Sequence, residues 1–235
     1  MKIVVHPDFS ELADFIAELP QRFENEGEVI YTGRNILKRY QIKGYEIIVK
    51  RFRKPNIFNK YIYSNFRKSK ARRSYEYAFK LLDAGIGTPQ PIAYREDKKG
   101  IQFRYSYYIA IFETEYTHIR NQMLGNGIDA FFIEQLAIFI ARIHEKGILF
   151  LDLSPGNILF KRSGNDVIFS LVDINRTYFR YRLSFNQRCR NFKRLTRRDD
   201  ILEQLASFYA VYSHLDRSET IDRIFKYCHQ FYKNK

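Results

Sequence analysis

The stretch FLDLSPGNILF, from Phe150 to Phe160, constrains the fold more than any other part of the sequence. Asp152 and Asn157 stand five positions apart around a Ser-Pro-Gly turn, and the apolar residues that flank them are typical of buried strands. Such a pair either caps a turn or belongs to a site that the strands hold in place. Taken alone, the turn-capping interpretation is the better one, because Asp and Asn side chains commonly bond the backbone of turns.

Three further polar residues lie within or after apolar patterns. Lys50 lies in the alternating stretch YEIIVKRF, Glu76 in the helical pattern RRSYEYAFKLL, and Asp173 after the apolar run of FSLVDINRT. Each has an ordinary interpretation. Lys50 belongs to a basic run, and Asp173 can be a solvated residue at a strand end. Glu76 can form a surface pair with Lys80 or Arg72, four residues away on the same helix face.

The local patterns predict an α+β fold. Alternation over residues 28–51 predicts three short strands, a helix is predicted over 67–84, and two more strands follow before residue 115. The second half predicts an amphipathic helix over 128–145, a strand pair, and helices near 199–213 and 217–232. This order predicts two unequal lobes, a strand-rich one over 1–115 with a short N-terminal extension and a helical one over 116–235.

The formal net charge of +14 is unevenly distributed. The segment from Lys50 to Arg73 carries ten Lys or Arg and no acid, and the segment from Asn175 to Arg198 carries nine and no acid. Such concentration favours an anionic partner, which can be a nucleic acid, a phospholipid surface or a phosphorylated substrate. A solvated basic face without a partner is the alternative.

The sequence also predicts a compartment. Cys189 and Cys228 are too few to form a disulfide framework in a chain of 235 residues, which favours a reducing environment. The N-terminal apolar run is too short for a signal peptide, and charged residues interrupt the most apolar later stretch, AFFIEQLAIFIARI. A cytoplasmic protein is predicted.

The run ARIHEKGILFLDLSPGNILF resembles the segment that ends a helix and enters the catalytic loop of protein-kinase-like enzymes. In that family an aspartate and an asparagine are separated by four residues, as Asp152 and Asn157 are, and His144 and Gly147 fall in register. Asp173, 16 residues after Asn157, stands where the family carries its metal-binding aspartate. The resemblance implies a two-lobed protein-kinase-like fold and an ATP-dependent kinase.

The resemblance also implies roles. Lys50 would pair with the α- and β-phosphates of ATP, and Glu76 would fix its ammonium group. Asn157 and Asp173 would supply the oxygen ligands that Mg²⁺ prefers. Asp152 would accept the proton of the acceptor hydroxyl, because phosphoryl transfer depends on positioning and charge neutralisation.

The nucleotide would contact two further segments. The turn in YTGRN, with Gly33 and Arg34, would cover the phosphates, and the backbone around Glu113, Thr114 and Glu115 would receive the adenine between the lobes. Here the sequence departs from the family pattern, because no G-x-G-x-x-G is present. Phe150-Leu151 replace the usual His-Arg and Ile174-Asn175 replace Phe-Gly, where asparagine tolerates unusual backbone angles.

Within the kinase-like enzymes the chain is most similar to the kinases of lipopolysaccharide core sugars, the Kdo and heptose kinases. The similarity lies in LLDAGIGTPQPIAY and in the basic segment before a helix with an Arg-rich start. It implies that the acceptor is a sugar hydroxyl of an anionic glycolipid. It also implies peripheral contact with an anionic membrane surface at the cytoplasmic face of the inner membrane.

Two other functions remain open from the sequence. The Asp-Leu-Ser of the loop is similar to Rio-type kinases, which leaves a protein-directed kinase, although no Ala-Pro-Glu follows Asp173. The other is a catalytically silent kinase-like module that binds a membrane or, less favoured, nucleic acid through its basic faces. The aromatic residues in NIFNKYIYSNFRK fit an interface or ordinary packing equally well. The oligomeric state and the particular sugar are not predicted.

Overall fold

The computed structural model describes residues 1–52, 68–99, 102–123 and 129–233. The chain forms two compact units, one of Met1–Asp83 with Pro89–Thr114 and one of Ala84–Thr88 with Glu115–Lys235. Both units contain strands and helices, so the predicted α+β class is confirmed. The stretch NIFNKYIYSNFRK, which fits an interface or ordinary packing, lies outside the described residues except for Lys68, as does most of the first basic segment.

The first unit is built on one antiparallel sheet of six strands. In chain order these are β1 (Lys2–Val5), β2 (Glu28–Thr32), β3 (Asn35–Ile42), β4 (Tyr45–Phe52), β5 (Pro91–Lys99) and β6 (Gln102–Ile111). Their spatial order is β1-β5-β6-β4-β3-β2. The three strands predicted over residues 28–51 are confirmed as β2, β3 and β4, which pair as consecutive antiparallel neighbours.

The turn between β3 and β4 explains why this hairpin closes so tightly. Lys43 and Gly44 have φ values of 50° and 85°, in the left-handed region that two-residue hairpin turns favour. Ile47 and Val49 of β4 are fully buried and alternate with residues that are partly exposed, as a strand with one core face requires. Lys50 therefore lies on the opposite side of the strand from the core residue Val49.

Two helices belong to this unit. The predicted helix over 67–84 is confirmed as α2 (Lys70–Asp83), which packs on β4, β5 and β6. The residues predicted as a short N-terminal extension instead form β1, which pairs with β5, and α1 (Ala13–Asn25). Helix α1 buries Phe15, Ile16, Leu19 and Phe23, so the N-terminus supplies part of the core.

Pro20 lies inside α1 and has no backbone N–H, which leaves the carbonyl of Ile16 without its helical donor. The buried Arg95 of β5 replaces that donor, because its Nη1 lies 3.1 Å from the Ile16 oxygen and also contacts the Ala17 oxygen. Its own charge is balanced by Asp97, 2.9 Å from Nη2. The hydrogen bond from Arg95 allows a proline-containing helix to pack against the sheet without a buried unsatisfied carbonyl.

The second unit consists mainly of helices. They are α3 (Ile119–Met123), α4 (Ala130–Glu145), α5 (Phe185–Asn191), α6 (Asp199–Tyr212) and α7 (Arg217–Lys233). The strands are β7 (Thr117–His118), β8 (Ile148–Phe150), β9 (Ile158–Ser163), β10 (Asp166–Leu171) and β11 (Thr177–Phe179), in the sheets β10-β9-β7 and β11-β8. The helices predicted over 128–145 and near 199–213 and 217–232 are confirmed as α4, α6 and α7.

Helix α5 was not predicted, because its sequence lies in the second basic segment and reads as a charged loop. A capping box begins it: the Ser184 hydroxyl accepts from the Gln187 N–H, and the Gln187 side chain accepts from the Ser184 N–H. Cys189 and Asn191 turn inward from this helix and are buried. The buried face of this helix contains too few apolar and amide residues to form a repeating hydrophobic pattern, so periodicity does not predict it.

Candidate active site

The catalytic-loop candidate runs from β8 to β9 and is closed by its own backbone. The Leu153 N–H donates to the Phe150 carbonyl at 3.2 Å, and the Asn157 N–H donates to the Ser154 carbonyl at 2.9 Å. The Asn157 side-chain nitrogen donates to the Asp152 carbonyl at 2.8 Å. Asn157 therefore does cap the turn, and the same bond fixes it relative to Asp152.

The Asp152 carboxylate is held by two arginines from later in the chain. Its Oδ1 accepts from Arg194 Nη1 at 2.7 Å and from Arg176 Nη1 at 3.1 Å. The Asp152 side chain is 15% exposed, so these charge-assisted bonds are partly shielded from water. Neither bond involves Oδ2, which is the oxygen left to meet a hydroxyl group.

A β-hairpin brings Asp173 to the level of Asn157. Ile158 of β9 is paired with Leu171 of β10, and the Val172 N–H donates to the Asn157 carbonyl at 3.0 Å. Two strands that end at the same side of a hairpin place the residues beyond their ends near each other. The structure thus brings Asp152, Asn157 and Asp173 together within the second unit.

The backbone at Asp173 is in the left-handed region, with φ 58° and ψ 40°. Asp is one of the few non-glycine residues that adopt this region readily. The Asn175 side-chain nitrogen donates to Asp173 Oδ1 at 2.6 Å. The sequence predicts the unusual backbone angle at Asn175, but the structure has it at Asp173, and the Asn175 side chain instead holds the Asp173 carboxylate.

His144, at the end of α4, is connected to the catalytic-loop candidate by a chain of hydrogen bonds. The ring is fully buried, with Nε2 at 3.1 Å from Asn191 Oδ1 and Nδ1 at 2.8 Å from the Tyr209 hydroxyl. Asn191 in turn donates its Nδ2 to the Phe150 carbonyl at 2.9 Å. Because Asn191 Oδ1 can only accept, His144 carries its proton on Nε2 and accepts from Tyr209. This chain of bonds fixes the residue two before Asp152.

Burial lowers the pKa of His144 to about 4 from 6.5, and the hydrogen bond that the ring donates to Asn191 opposes the shift. Between about pH 6.5 and pH 4, His144 is therefore protonated in the unfolded chain and neutral in the folded chain. The free energy of unfolding therefore rises with pH in this window. As the pH falls from about 6.5 to about 4, the contribution of His144, about 3 kcal/mol, is lost.

We therefore expect a His144→Gln variant to lose much of the pH dependence of its unfolding free energy between pH 4 and pH 6.5. Urea unfolding at several pH values measures this difference. His229→Gln is the matched control, since His229 on α7 is half exposed. Equal pH slopes for the parent and the His144 variant would show that the parent histidine does not titrate as described.

Gly147 connects His144 to β8 in a conformation that only glycine fits. Its φ is 68°, its N–H donates to the His144 carbonyl at 3.0 Å, and its carbonyl accepts from the Arg180 N–H at 2.8 Å. A Cβ at this position would collide with the Arg180 carbonyl oxygen. The in-register His144 and Gly147 of the sequence analysis are thus structural supports of the loop.

Two of the residues expected to bind the nucleotide, Lys50 and Glu76, lie in the sheet and the second helix of the first unit. Lys50 lies on β4 opposite Leu37 and Tyr108, with its Nζ 5.3 Å from the ring centroid of Phe52. Glu76 lies on α2, where Oε1 contacts Arg72 Nε and Oε2 contacts Lys68 Nζ, each at 2.7 Å. Its pKa is lowered, because the bonds from Lys68 and Arg72 outweigh the desolvation by burial. The pairing of Glu76 with Lys50 stays a prediction.

The remaining nucleotide candidates lie in turns. Gly33 follows β2 and donates its N–H to the Asn35 carbonyl at 3.1 Å, and a Cβ there would meet the Tyr31 ring. Arg34 is exposed beside it. Glu113 and Thr114 follow β6, and Glu115 pairs with Lys161 Nζ at 2.8 Å. Their contact with a nucleotide stays a prediction.

A divalent cation would find its ligands at the end of the β9–β10 hairpin. The Asn157 side chain uses its nitrogen for Asp152, so its oxygen is the end available to a ligand. Asp173 offers a carboxylate, and amide and carboxylate oxygens suit Mg²⁺. The described residues contain no group of three or more His, Cys, Asp or Glu that could hold a metal by themselves. Such a donor set fits Mg²⁺ that is also bound by nucleotide phosphates.

Sequence reasoning missed several residues that complete this site. Arg176 and Arg194 contact Asp152, while Asn191 and Tyr209 hold His144. The two arginines belong to the second basic segment, but nothing in that segment distinguishes one arginine from another. No local pattern in the sequence identifies a partner that lies 42 residues away along the chain, as Arg194 does from Asp152.

An antiparallel sheet unit followed by a helical unit, with an Asp–Asn loop and a second Asp after a hairpin, defines a two-lobed protein-kinase-like fold. A solved structure described as WaaP in complex with acyl carrier protein has this fold, with a TM-score of 0.67 and 16% sequence identity. The match covers 99% of this chain and 100% of that one. No curated protein sequence matches the chain closely enough to count as a relative.

The sequence profile of the lipopolysaccharide kinase (Kdo/WaaP) family matches residues 18–212. The chain belongs to this family, and it is a kinase, as the resemblance implied. Within the part of the chain that the structure describes, no helix has the length and the apolar character needed to cross a bilayer.

Proposed function

We propose that this kinase transfers the γ-phosphoryl group of ATP to a hydroxyl of a lipopolysaccharide inner-core sugar, either Kdo or heptose. The observation that carries the proposal is the bond from the Asn157 amide to the Asp152 carbonyl, on a loop tied to Asp173 through Val172. One carboxylate is thus set for proton transfer, and the oxygens of Asn157 and Asp173 are set for a metal, as phosphoryl transfer requires.

In this mechanism Asp152 binds the acceptor hydroxyl through Oδ2 and accepts its proton as the oxygen attacks phosphorus. The two guanidinium groups on Oδ1 fix the orientation of the carboxylate. The proton leaves the acceptor oxygen as the bond to phosphorus forms, and the bond to the ADP oxygen breaks.

Asn157 and Asp173 would hold Mg²⁺, which neutralises the phosphate charge when it is bound. Asn175 restrains one oxygen of Asp173, so the carboxylate is presented in a fixed orientation. Lys50 would pair with the α- and β-phosphates, Gly33 and Arg34 would cover them, and the backbone at Glu113–Glu115 would receive the adenine. In the present structure each oxygen of Glu76 accepts one bond, from Lys68 or from Arg72, and a carboxylate can accept a further one from Lys50.

The second basic segment supports an anionic glycolipid as acceptor. It begins after Asp173 and includes Arg176 and Arg194, which contact the catalytic carboxylate itself. A dense positive charge beside the acceptor site attracts an anionic sugar and an anionic membrane surface. We therefore propose peripheral contact between the protein and an anionic membrane surface, with the reaction at the cytoplasmic face of the inner membrane, as the resemblance to the Kdo and heptose kinases implies.

The test is incubation of the purified protein with Mg²⁺ and γ-labelled ATP. Separate reactions contain Kdo-lipid A, a heptosylated core glycolipid, a general protein acceptor and RNA. We expect label in one of the two glycolipids and in neither of the other acceptors. Label in protein alone would favour the protein-directed kinase instead. The similar WaaP structure contains acyl carrier protein, so each reaction is run with and without that protein.

A further inference from the structure

A cavity of about 330 Å³ lies in the second unit beside the catalytic loop. Arg120, Arg194, Arg197 and Arg198 line it, together with Pro155 of the loop. Its volume is at the lower end of the roughly 300–1,000 Å³ that is usual for small-molecule pockets. The cavity therefore has room for one sugar-sized group, and its wall has an unusual density of positive charge.

Two of the four arginines are already neutralised by acids. Arg194 is bound to Asp152 at 2.7 Å, and Arg198 is bound to Asp200 at 2.6 Å. Arg120 and Arg197 form no ion pair with any acid in the described part of the chain. The cavity therefore has an excess of about two positive charges, which matches a phosphate dianion or a pair of carboxylates.

Both uncompensated arginines are positioned by neighbours. The Arg197 guanidinium lies 4.7 Å from the centroid of the Tyr232 ring, within cation–π range. The Arg120 side chain lies against Gly156, where a Cβ would come within 2.6 Å of its Nη2. The Arg120 N–H also donates to the Pro155 carbonyl at 3.3 Å. The absence of a side chain at Gly156 thus allows Arg120 to lie directly on the catalytic loop.

The surrounding charges indicate that the positive field is strong. The pKa of Lys193 is lowered, first by burial and then by repulsion from Arg190, Arg194 and Arg176. Such mutual repulsion among cations costs stability unless an anion relieves it. The apolar side chains of Met123 and Leu195 also line the cavity. A bound group would therefore contact apolar as well as charged side chains, which suits a sugar because its surface has both C–H and polar groups.

We propose that this cavity binds an acidic substituent of the glycan acceptor, a carboxylate or a phosphate, and so holds the neighbouring hydroxyl at Asp152. The proposal rests on the proposed glycan kinase function and deepens it. Arg194 connects the two parts of the site, because it lines the cavity and bonds the catalytic carboxylate. Arg120 and Arg197 are then acceptor-binding residues, and the acceptor must carry an acid group next to the phosphorylated sugar.

The experiment compares Arg120→Gln and Arg197→Gln with the matched control Arg217→Gln. Arg217 is exposed on α7 and its only hydrogen bond within the described residues, to Ser207, is 3.3 Å long. Each cavity variant is expected to raise the KM for the glycolipid acceptor about tenfold, since a charge-assisted bond is lost. The kcat and the KM for ATP should change little, and the control should match the parent protein.

Two modified acceptors identify the anion. In one the Kdo carboxylates are reduced to alcohols, and in the other the lipid A phosphates are removed. The modification that removes the recognised group should raise the acceptor KM of the parent protein about tenfold and have little further effect in a variant that carries both Arg120→Gln and Arg197→Gln. Acceptor KM values that are unchanged in both arginine variants, with the parent fully active, would overturn the proposal.

A separate binding measurement distinguishes failure of the proposal from failure of the proposed function. Labelled, deacylated glycan from Kdo-lipid A is titrated into the parent and into both variants in equilibrium dialysis, without ATP. If the parent phosphorylates no glycolipid, the proposed function fails, yet weaker glycan binding by both variants would still support the cavity. Equal binding by the parent and the variants would refute the cavity proposal whatever the kinase assay gives.

Discussion

Replacing Asp152 with asparagine is expected to lower kcat on the order of 10³-fold, because the side chain loses its capacity to accept the acceptor proton. The amide has the same shape as the carboxylate, and its oxygen can still accept from Arg176 and Arg194. The affinity for ATP should therefore remain close to that of the parent. Initial rates of label transfer to the glycolipid, together with nucleotide titration, measure the two quantities.

Asp166→Asn is the matched control for this carboxylate-to-amide change. Asp166 begins β10, is exposed, and lies in the same unit as Asp152. Its replacement should leave kcat unchanged, and both variants should unfold at nearly the same temperature as the parent. A fully active Asp152→Asn protein would remove this residue from the mechanism and would leave the family's phosphoryl transfer to another group in this chain.

Replacing Asp173 with asparagine is expected to lower activity at least about 100-fold at fixed Mg²⁺, because a charged ligand of the cation is lost. Asparagine adopts the left-handed backbone that this position requires, so the turn should be preserved. Part of the activity should return as the Mg²⁺ concentration is raised, which distinguishes a ligand from a purely structural residue. The measurement is a Mg²⁺ titration of the phosphoryl-transfer rate at saturating ATP.

The same titration also tests the cofactor in the parent protein. Excess chelator should abolish label transfer, and added Mg²⁺ should restore it. Asp166→Asn again serves as the control and should titrate like the parent. An Asp173 variant with the parent's rate and the parent's Mg²⁺ dependence would show that the cation is held elsewhere.

The arginines on Asp152 also bear on how the altered catalytic motif works. The arginine that precedes the loop aspartate in the general protein-kinase pattern is replaced by Leu151 before Asp152. In this structure the cations around the aspartate instead come from Arg176, after the hairpin, and Arg194, between α5 and α6. The same second basic segment therefore contributes both to fixing the carboxylate and to the charge around the acceptor site.

Some of the site could be predicted because its residues are close in sequence. Asp152 and Asn157 are five positions apart, and a turn that short can close only through local bonds, such as the one from Asn157 to the Asp152 carbonyl. The hairpin register that brings Asp173 level with Asn157 follows from two apolar strands joined by a short turn. Periodicity predicted α2, α4, α6 and α7, because their amphipathic faces are long enough to repeat.

Other parts depended on contacts between residues far apart in the chain. Helix α1 contains Pro20, which a local rule treats as a helix breaker, and its stability depends on Arg95, 79 residues away from Ile16. By contrast, the short-range pair of Glu76 with Arg72, four residues away, could be predicted from the sequence and is present at 2.7 Å, while the pairing of Glu76 with Lys50 stays a prediction. Propensity and periodicity describe local preferences, and long-range bonds can override or complete them.

The sequence by itself determined the α+β order of elements, the kinase-like loop with Asp152, Asn157 and Asp173, and the concentration of positive charge. These features depend on the identity and spacing of residues, which short-range geometry translates directly into turns, strands and helices. Only the tertiary structure decided which cations contact the Asp152 carboxylate and which arginines line the cavity. Nineteen basic residues in two segments are alike in sequence, and folding alone brings Arg194 of the second segment to Asp152. Arg197 of the same segment, and Arg120 outside both segments, form no ion pair with an acid among the residues that the structure describes.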